Sequence, residues 1–361
     1  MSDKTDYTAE NIAKLNLKDH VRTRPGMYLG RVDLKGFIDI MSGIFCDAIE
    51  DTSLKNELTI KITSQKSGQL ILTNNQKQLV DKWNPDVKNL HHNTRNLYYL
   101  NIQILNSLSN HFEVSLHNSN NEVISKEKYS EGKRTTEPIN NFTANKIVID
   151  FELDNKIWGE DFTISEFYLN HRLRELAFLN KDAKIKIQYK VDGEDCKVVH
   201  HFKNGLKDRV IIEQLNGLGK CYFETYINEE INEFHIEVAF GFREYTVDEP
   251  FLRSYANNFY TSEDGTHVDG VLNGLTYGVM KYFQKYDLVD KYKISEKGMR
   301  EHLICAIHIK LDNPMFSGCV KNKLSNPDII EPIASRISEI LFNKIEQNEE
   351  STNKLISKFE I

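Results

Sequence analysis

Stretches whose apolar residues recur every second position and stretches with helical apolar spacing follow one another irregularly along this chain. Residues 58–63, 70–73, 112–116, 147–153 and 184–191 carry the alternation of half-buried strands. Residues 36–49 set Phe37, Ile40, Met41, Ile44, Phe45 and Ile49 on a helical pattern, and residues 97–108 do the same with Leu100, Ile104, Leu105 and Leu108. Residues 172–179 form a third amphipathic helix, and a short one with Ile12, Leu15 and Leu17 precedes a turn at Pro25-Gly26. This order lacks the regular strand–helix rhythm of a doubly wound sheet. It predicts an α+β sandwich, with helices on one face of a mixed sheet. A length of 361 residues is too great for one core and suits two domains.

The second half continues the mixture. A helical run at 206–215 precedes strands at 222–226, 234–240 and 303–311 and a helix at 268–283. A last helix begins after Asn326-Pro327-Asp328, with Asn326 as N-cap, Pro327 in the first helical position, and Ile330, Ile333, Ile337, Leu341 and Ile345 as its apolar stripe. The expected layout is an N-terminal arm over 1–18, a first domain over 19–204, a second over 205–346 and a polar tail over 347–361.

Composition excludes several functions. With 40% hydrophobic and 27% charged residues the chain is a folded one rather than a disordered one. A net charge of −7 argues against a generally basic nucleic-acid binder. No apolar run reaches the ~18 residues that cross a membrane, and Met1 to Asp6 has no apolar signal region, so a cytoplasmic protein with no membrane partner is expected. The cysteines (Cys46, Cys196, Cys221, Cys305, Cys319) are odd in number and form no C-x-x-C, which suits a reducing compartment and small buried thiols.

Val21-Arg22-Thr23-Arg24-Pro25-Gly26-Met27-Tyr28-Leu29-Gly30 is similar to V-R-x-R-P-G-M-Y-I-G, and Arg172-Leu173-Arg174-Glu175-Leu176-Ala177-Phe178-Leu179-Asn180 to R-L-R-E-L-A/S-F-L-N. Asp264-Gly265-Thr266-His267-Val268-Asp269-Gly270 resembles G-G-T-H-x-x-G-F, and residues 314–324 (Pro314 to Leu324) resemble P-x-F-x-x-Q-T-K-x-K-L. These motifs, in this order, are those of the amino-terminal region of the gyrase B and topoisomerase IV B family. The resemblance implies a GHKL (Bergerat) ATPase-like α/β sandwich followed by a transducer domain with a ribosomal-protein-like βαβ fold. In that family a nucleotide lies between the two, and ATP closes two subunits around DNA with the help of an N-terminal arm. Tyr7 matches the arm tyrosine that reaches across the dimer. Neither the family's E-G-D-S-A nor its P-L-R-G-K stretch is present, so DNA cleavage by this chain alone is not expected.

Hydrolysis in that family uses a carboxylate base and, one helical turn later, an Asn that binds Mg²⁺, spaced E-x-x-x-N on one helix face. Here those positions are Gly43 and Asp47. Gly43 has nothing to take a proton with, whereas Asp47 can ligate Mg²⁺. The adenine stretch D-D-G-R-G-I-P aligns with residues 74–80, leaving Asn74 to accept from an adenine amino group, and the assisting hydroxyl position falls at Ile147. The phosphate loop G-G-L-H-G-V-G aligns with residues 95–101, yet no glycine stands between Gly68 and Gly132. A cradle of backbone N–H groups needs residues without Cβ. Q-T-K becomes Cys319-Val320-Lys321, where Lys321 suits a γ-phosphate as a point charge.

The expectation is a degenerate relative with no catalytic residue and no cofactor, whose vestigial pocket is Asp47, Asn74 and Lys321. It would act as a homodimer or as a heteromer with a type IIA topoisomerase subunit, with DNA contact left open. The alternative is a divergent ATPase that holds Mg-ATP through Asp47 and Lys321. Other signals point to bland roles. The pairs His91-His92 and His200-His201 diverge, His267 braces structure, Ser317 and Cys319 lack a His partner, and the clusters Lys181-Lys184-Lys186 and Lys321-Lys323 read as solvated faces, or as DNA-facing ones if a clamp forms.

Overall fold

Two segments far apart in sequence, β1 (Leu54–Ile62) and β7 (Lys184–Val191), run side by side in parallel, and this pairing organises the first half of the molecule. The computed structural model describes residues 16–50, 54–74, 97–137, 144–215, 221–244, 250–294, 296–318 and 321–359. The chain divides into units 1–201 and 202–361, where the sequence placed the boundary between 204 and 205.

In the first unit, helices α1 (Leu17–Thr23), α2 (Gly26–Leu29) and α3 (Leu34–Glu50) precede β1 and β2 (Ser67–Asn74). Then come α4 (Leu97–Ser107), β3 (Ser109–His117), β4 (Val123–Ser130), β5 (Lys133–Arg134), β6 (Lys146–Leu153), α5 (Asn155–Trp158), α6 (Glu166–Leu179), β7 and β8 (Glu194–His200). The sheet order is β5-β4-β3-β6-β2-β1-β7-β8, antiparallel apart from β1–β7. Helix α3 packs on β1 with α4 and α6 against it. Its Phe37, Met41, Ile44 and Phe45 are buried, and the Phe37 ring meets Phe151 at 6.2 Å and Trp158 at 6.1 Å.

The V-R-T-R-P-G-M-Y stretch does scaffold work here. Arg22 donates to the Ser107 carbonyl at the end of α4 (2.8 Å) and to Asp154 (2.5 Å), the residue that caps α5. The turn expected at Pro25-Gly26 is a short helix, α2, for which Pro25 is the N-cap. Gly30 at its end takes the left-handed backbone (φ 70°).

In the second unit, α7 (Leu206–Glu213), β9 (Cys221–Ile231), β10 (Phe234–Arg243), β11 (Phe251–Ala256) and β12 (Phe259–Tyr260) lead to α8 (Thr266–Lys285). Helix α9 (Glu296–Glu301), β13 (Leu303–Leu311), α10 (Ile330–Gln347) and α11 (Glu349–Ile356) complete it. The sheet order is β12-β11-β13-β10-β9, and the parallel pair β11–β13 with α8 between them in sequence makes a βαβ crossover. Helices α8 and α10 touch along Gly270, Gly274 and Gly278. A Cβ on Gly274 would stand 2.6 Å from Ile337 Cβ and 2.7 Å from the Ala334 carbonyl. Among the described residues no helix is long and apolar enough to cross a membrane.

Some elements escaped sequence reading for physical reasons. Strands β4 and β8 lie next to or at an edge of their sheet and carry mostly polar, exposed side chains, so they lack the apolar alternation of the central strands. The expected polar tail is a correction: α11 and the turn after it bury Thr352, Leu355, Ile356 and Phe359 in the second core. Asn326 stands at the N-cap and Pro327 opens the helical turn as expected, but the Asn326 side chain makes no capping bond: it accepts from Met315 N (2.7 Å) and donates to the Asn313 carbonyl (3.2 Å), closing the preceding loop. The thiols are only partly as expected, since Cys305 is buried while Cys46, Cys196 and Cys221 are half-buried.

The α8–α10 contact yields a test. Gly274→Ala gains roughly 1 kcal/mol of helix propensity but forces the helices apart, an overpacking cost of about 1–3 kcal/mol. Urea unfolding is expected to show the variant destabilised; a stabilised one would show the contact to be loose.

Candidate functional site

Gly43 and Asp47 lie one turn apart on α3, and the first turns of α4 bring Asn101 over both. Asn101 Nδ2 donates to Asp47 Oδ2 at 2.7 Å. A Cβ on Gly43 would sit 2.6 Å from that nitrogen and 2.8 Å from Asn101 Cγ. The Asn101 amide therefore occupies the space into which any side chain at position 43 would start. Burial raises the Asp47 carboxyl to about 6, with the Asn101 hydrogen bond working against the rise and the Glu50 charge adding to it. Beside this cluster, Arg172 Nε donates to Ser42 Oγ (3.1 Å), so the first arginine of the R-L-R-E-L motif braces α6 against α3.

Asn101 was missed as a site residue, though the sequence held the signal. Relative to the family pattern, a Glu has become Gly43 and the last Gly of the phosphate loop has become Asn101, so the two positions have exchanged side-chain bulk. Only the fold shows that they are neighbours. Asn74 is the last residue of β2, opposite Leu54 in register, and its side chain falls outside what is described. Ile147, at the position of the family's assisting hydroxyl, is a buried apolar residue of β6. Residues 75–96, including His91 and His92, and Tyr7 lie outside the described residues.

Lys321 belongs to the second unit. It has a left-handed backbone (φ 57°), and its ammonium lies 3.9 Å from the centre of the Phe259 ring and 5.9 Å from that of Phe316. Burial lowers its pKa. The D-G-T-H motif closes the same loop region. At Gly265 (φ 136°) a Cβ would meet the Leu324 carbonyl at 2.4 Å, and Thr266 N donates to that carbonyl at 3.1 Å. His267 is buried, its pKa pushed down to about 3 by burial, with Nε2 3.2 Å from Thr261 Oγ1. His200 is likewise a structural group: Nε2 is 2.8 Å from Asn170 Oδ1, and burial with the Arg174 charge lowers it to about 4. Lys184 and Lys186 each lie 3.4 Å from Glu57. Among the described residues no group of three or more His, Cys, Asp or Glu is placed to hold a metal ion.

The fold is that of the ATPase regions of type II topoisomerases. The topoisomerase IV ATP-binding domain of Francisella tularensis, solved with a small-molecule inhibitor, superposes with a TM-score of 0.73 at 22% identity, covering 94% of this chain and 95% of that one. The 43K ATPase domain of Thermus thermophilus gyrase B, solved with an aminocoumarin, gives 0.73 at 20% identity, covering 95% and 94%. A family model described as DNA gyrase B matches residues 200–360, which is nearly all of the second unit. The DNA gyrase B protein of Archaeoglobus fulgidus is 27% identical over 383 aligned positions, covering 98% of this chain and 58% of that protein. The chain is a relative of the amino-terminal region of DNA gyrase B, and it spans 58% of the length of that relative.

Two measurements probe the site. In an Asn101→Ala background, Gly43→Ala is expected to stabilise by about 1 kcal/mol through helix propensity. In the wild-type background it displaces the amide from Asp47 and the gain disappears, so a double-mutant cycle should show non-additivity of about 1 kcal/mol or more. Additive effects would mean that the amide does not fill this space. The second concerns pH. The native Asp47 carboxyl holds its proton up to about pH 6, whereas the unfolded chain releases it near 3.8, so this group's contribution to stability falls as pH rises between those values and is level above. Asp47→Asn is expected to gain up to about 3 kcal/mol at pH 7 and nothing below pH ~3.8. A gain independent of pH would contradict the assignment.

Proposed function

We propose that this protein is a non-hydrolysing member of the gyrase B amino-terminal type, which works by subunit association rather than by turning over ATP. The observation that carries the reading is the Gly43–Asn101–Asp47 cluster. Water activation for attack on a γ-phosphate needs a carboxylate at position 43, and the space above Gly43 is filled by an amide. The carboxylate left to hold Mg²⁺ is already engaged by that amide and is drawn toward its neutral form. These residues do not fit Mg-ATP poised for hydrolysis. The absence of glycine throughout the aligned phosphate stretch supports the same reading. What remains are the anchoring motifs around Arg22, Arg172 and Gly265, which hold the two domain folds rather than a nucleotide. Association with itself or with a type IIA topoisomerase subunit is the use such a frame would keep, as its relatives are topoisomerase subunits.

One observation favours a second reading, a divergent ATPase. A carboxyl at about 6, such as Asp47, is suited to accept a proton near neutral pH. Calorimetric titration with Mg-ATP and a coupled phosphate-release assay on the same preparation separate the two. The expected result is no turnover above a buffer blank and no change in that baseline with Asp47→Ala. Light scattering of the protein, alone and mixed with gyrase and topoisomerase IV subunits, is expected to show a dimer or a mixed complex. Turnover lost with Asp47→Ala would establish the second reading, and a strict monomer in every mixture would defeat the association role.

A further inference from the structure

Arg243, the last residue of β10, is fully buried in the second unit, yet its Nε and Nη1 have no hydrogen-bond partner among the described residues. Its Nη2 donates to the Leu303 carbonyl at 3.4 Å. A guanidinium stays charged at any pH a protein tolerates, and in a low-dielectric setting an unpaired charge of this kind is strongly unfavourable. Alternation along β10 sends Phe240 and Phe242 into the core shared with α8 and α10, so Gly241 and Arg243 point to the opposite face. Helix α7 lies on that face, because Leu206 N donates to Glu237 Oε1 (3.0 Å) from the same row of β10.

The residue across the ladder is His302. Arg243 N donates to the His302 carbonyl at 2.8 Å, one step beyond the Phe242–Leu303 pair, so the two side chains leave the sheet on the same side. His302 is 7% exposed, and its Nδ1 is also without a partner among the described residues. Charges of both signs act on the pair: Lys358 lowers the His302 pKa, while Glu301 opposes that shift and Glu213 acts on Arg243. Lys358 Nζ donates to the Glu244 carbonyl (2.8 Å), and Tyr222, whose ring lies 5.9 Å from that ammonium, donates to the Arg243 carbonyl (3.0 Å). Burial and then the Lys358 charge depress the His302 pKa. The acidic groups that act on Arg243 are the Cys221 thiol, whose pKa burial raises, and then Glu213, whose carboxylate is already held by Arg209 Nη1 at 2.5 Å.

We propose that this face of the second unit binds a small oxyanion, a phosphate or a carboxylate, through Arg243 Nε and Nη1 with His302 Nδ1 as a further donor. The planar fork of a guanidinium matches two oxygens of such a group at once, and an uncharged imidazole still offers one N–H to a third. The site is separate from the α3–α4 cluster, and its test does not depend on whether ATP binds there.

The experiment compares thermal unfolding of the full chain in chloride, inorganic phosphate and acetate at equal ionic strength and pH, for wild type, Arg243→Met, Arg243→Lys and His302→Gln. Phosphate stabilises many proteins by exclusion from their surfaces, so the quantity of interest is the difference between wild type and variants. Wild type is expected to show a saturable rise in Tm with phosphate or acetate that Arg243→Met lacks and that Arg243→Lys and His302→Gln show only weakly. Calorimetry with the responding anion should give affinity at least tenfold weaker for Arg243→Met. Without added anion, Arg243→Met is expected to be as stable as wild type or more so, because an unpaired buried charge has gone. Should Arg243→Met not fold, the other two variants carry the same comparison. A response to phosphate alone assigns a phosphate ligand, and a response to acetate assigns a carboxylate. Equal responses in all four proteins, or none in wild type, would overturn the site.

Discussion

Space between helices α3 and α4 is the constraint on which the candidate site depends. Helix α3 is pressed on β1 with α4 and α6 against it, and close-packed interiors do not accept two side chains where one fits. In the family pattern a glutamate projects from position 43 and a glycine stands in the loop leading into α4. Here the bulk has moved to Asn101 and the void to Gly43, so the space is filled from the other helix. The same contact accounts for the electrostatics of Asp47. Its burial and its single amide donor follow from α4 lying so close.

Close approach also builds the second unit, by a different device. The stripe Gly270, Gly274, Gly278 lets α10 lie directly on the backbone of α8, and Gly265 lets the strand-like segment at Leu324 pass against the start of α8. The D-G-T-H stretch and the K-N-K-L stretch are thus two sides of one crossing. That crossing leaves His267 a buried structural group. Lys321, two residues before Lys323 on the same loop, stacks on Phe259 and Phe316.

The parts of the fold legible in the sequence were those whose burial is one-sided and regular. Helix α3 and strands β2, β6, β10 and β13 stand in or against a core, and their apolar spacing follows from that. Strand β4 was not legible because its exposed side chains include Val123 and Ile124, while Glu127 and Tyr129 are buried, the inverse of the usual signal. Helix α11 was hidden by its polar first turn, although Thr352, Leu355, Ile356 and Phe359 have helical spacing. Of the candidate site, Gly43 and Asp47 could be read from spacing on one helix. Their partner Asn101, in another helix more than fifty positions away, could not.

Sequence alone determined the kind of fold, the family resemblance, the loss of a side chain at position 43 and the lack of glycine in the phosphate stretch, because each is a property of local spacing or residue type. Tertiary structure decided which side chain filled the emptied place, where Lys321 rests, and that Arg243 and His302 stand side by side with nitrogens unmatched. Those are facts of proximity between segments distant along the chain, and hydrogen bonding, desolvation and steric exclusion act only across such distances once the chain has folded.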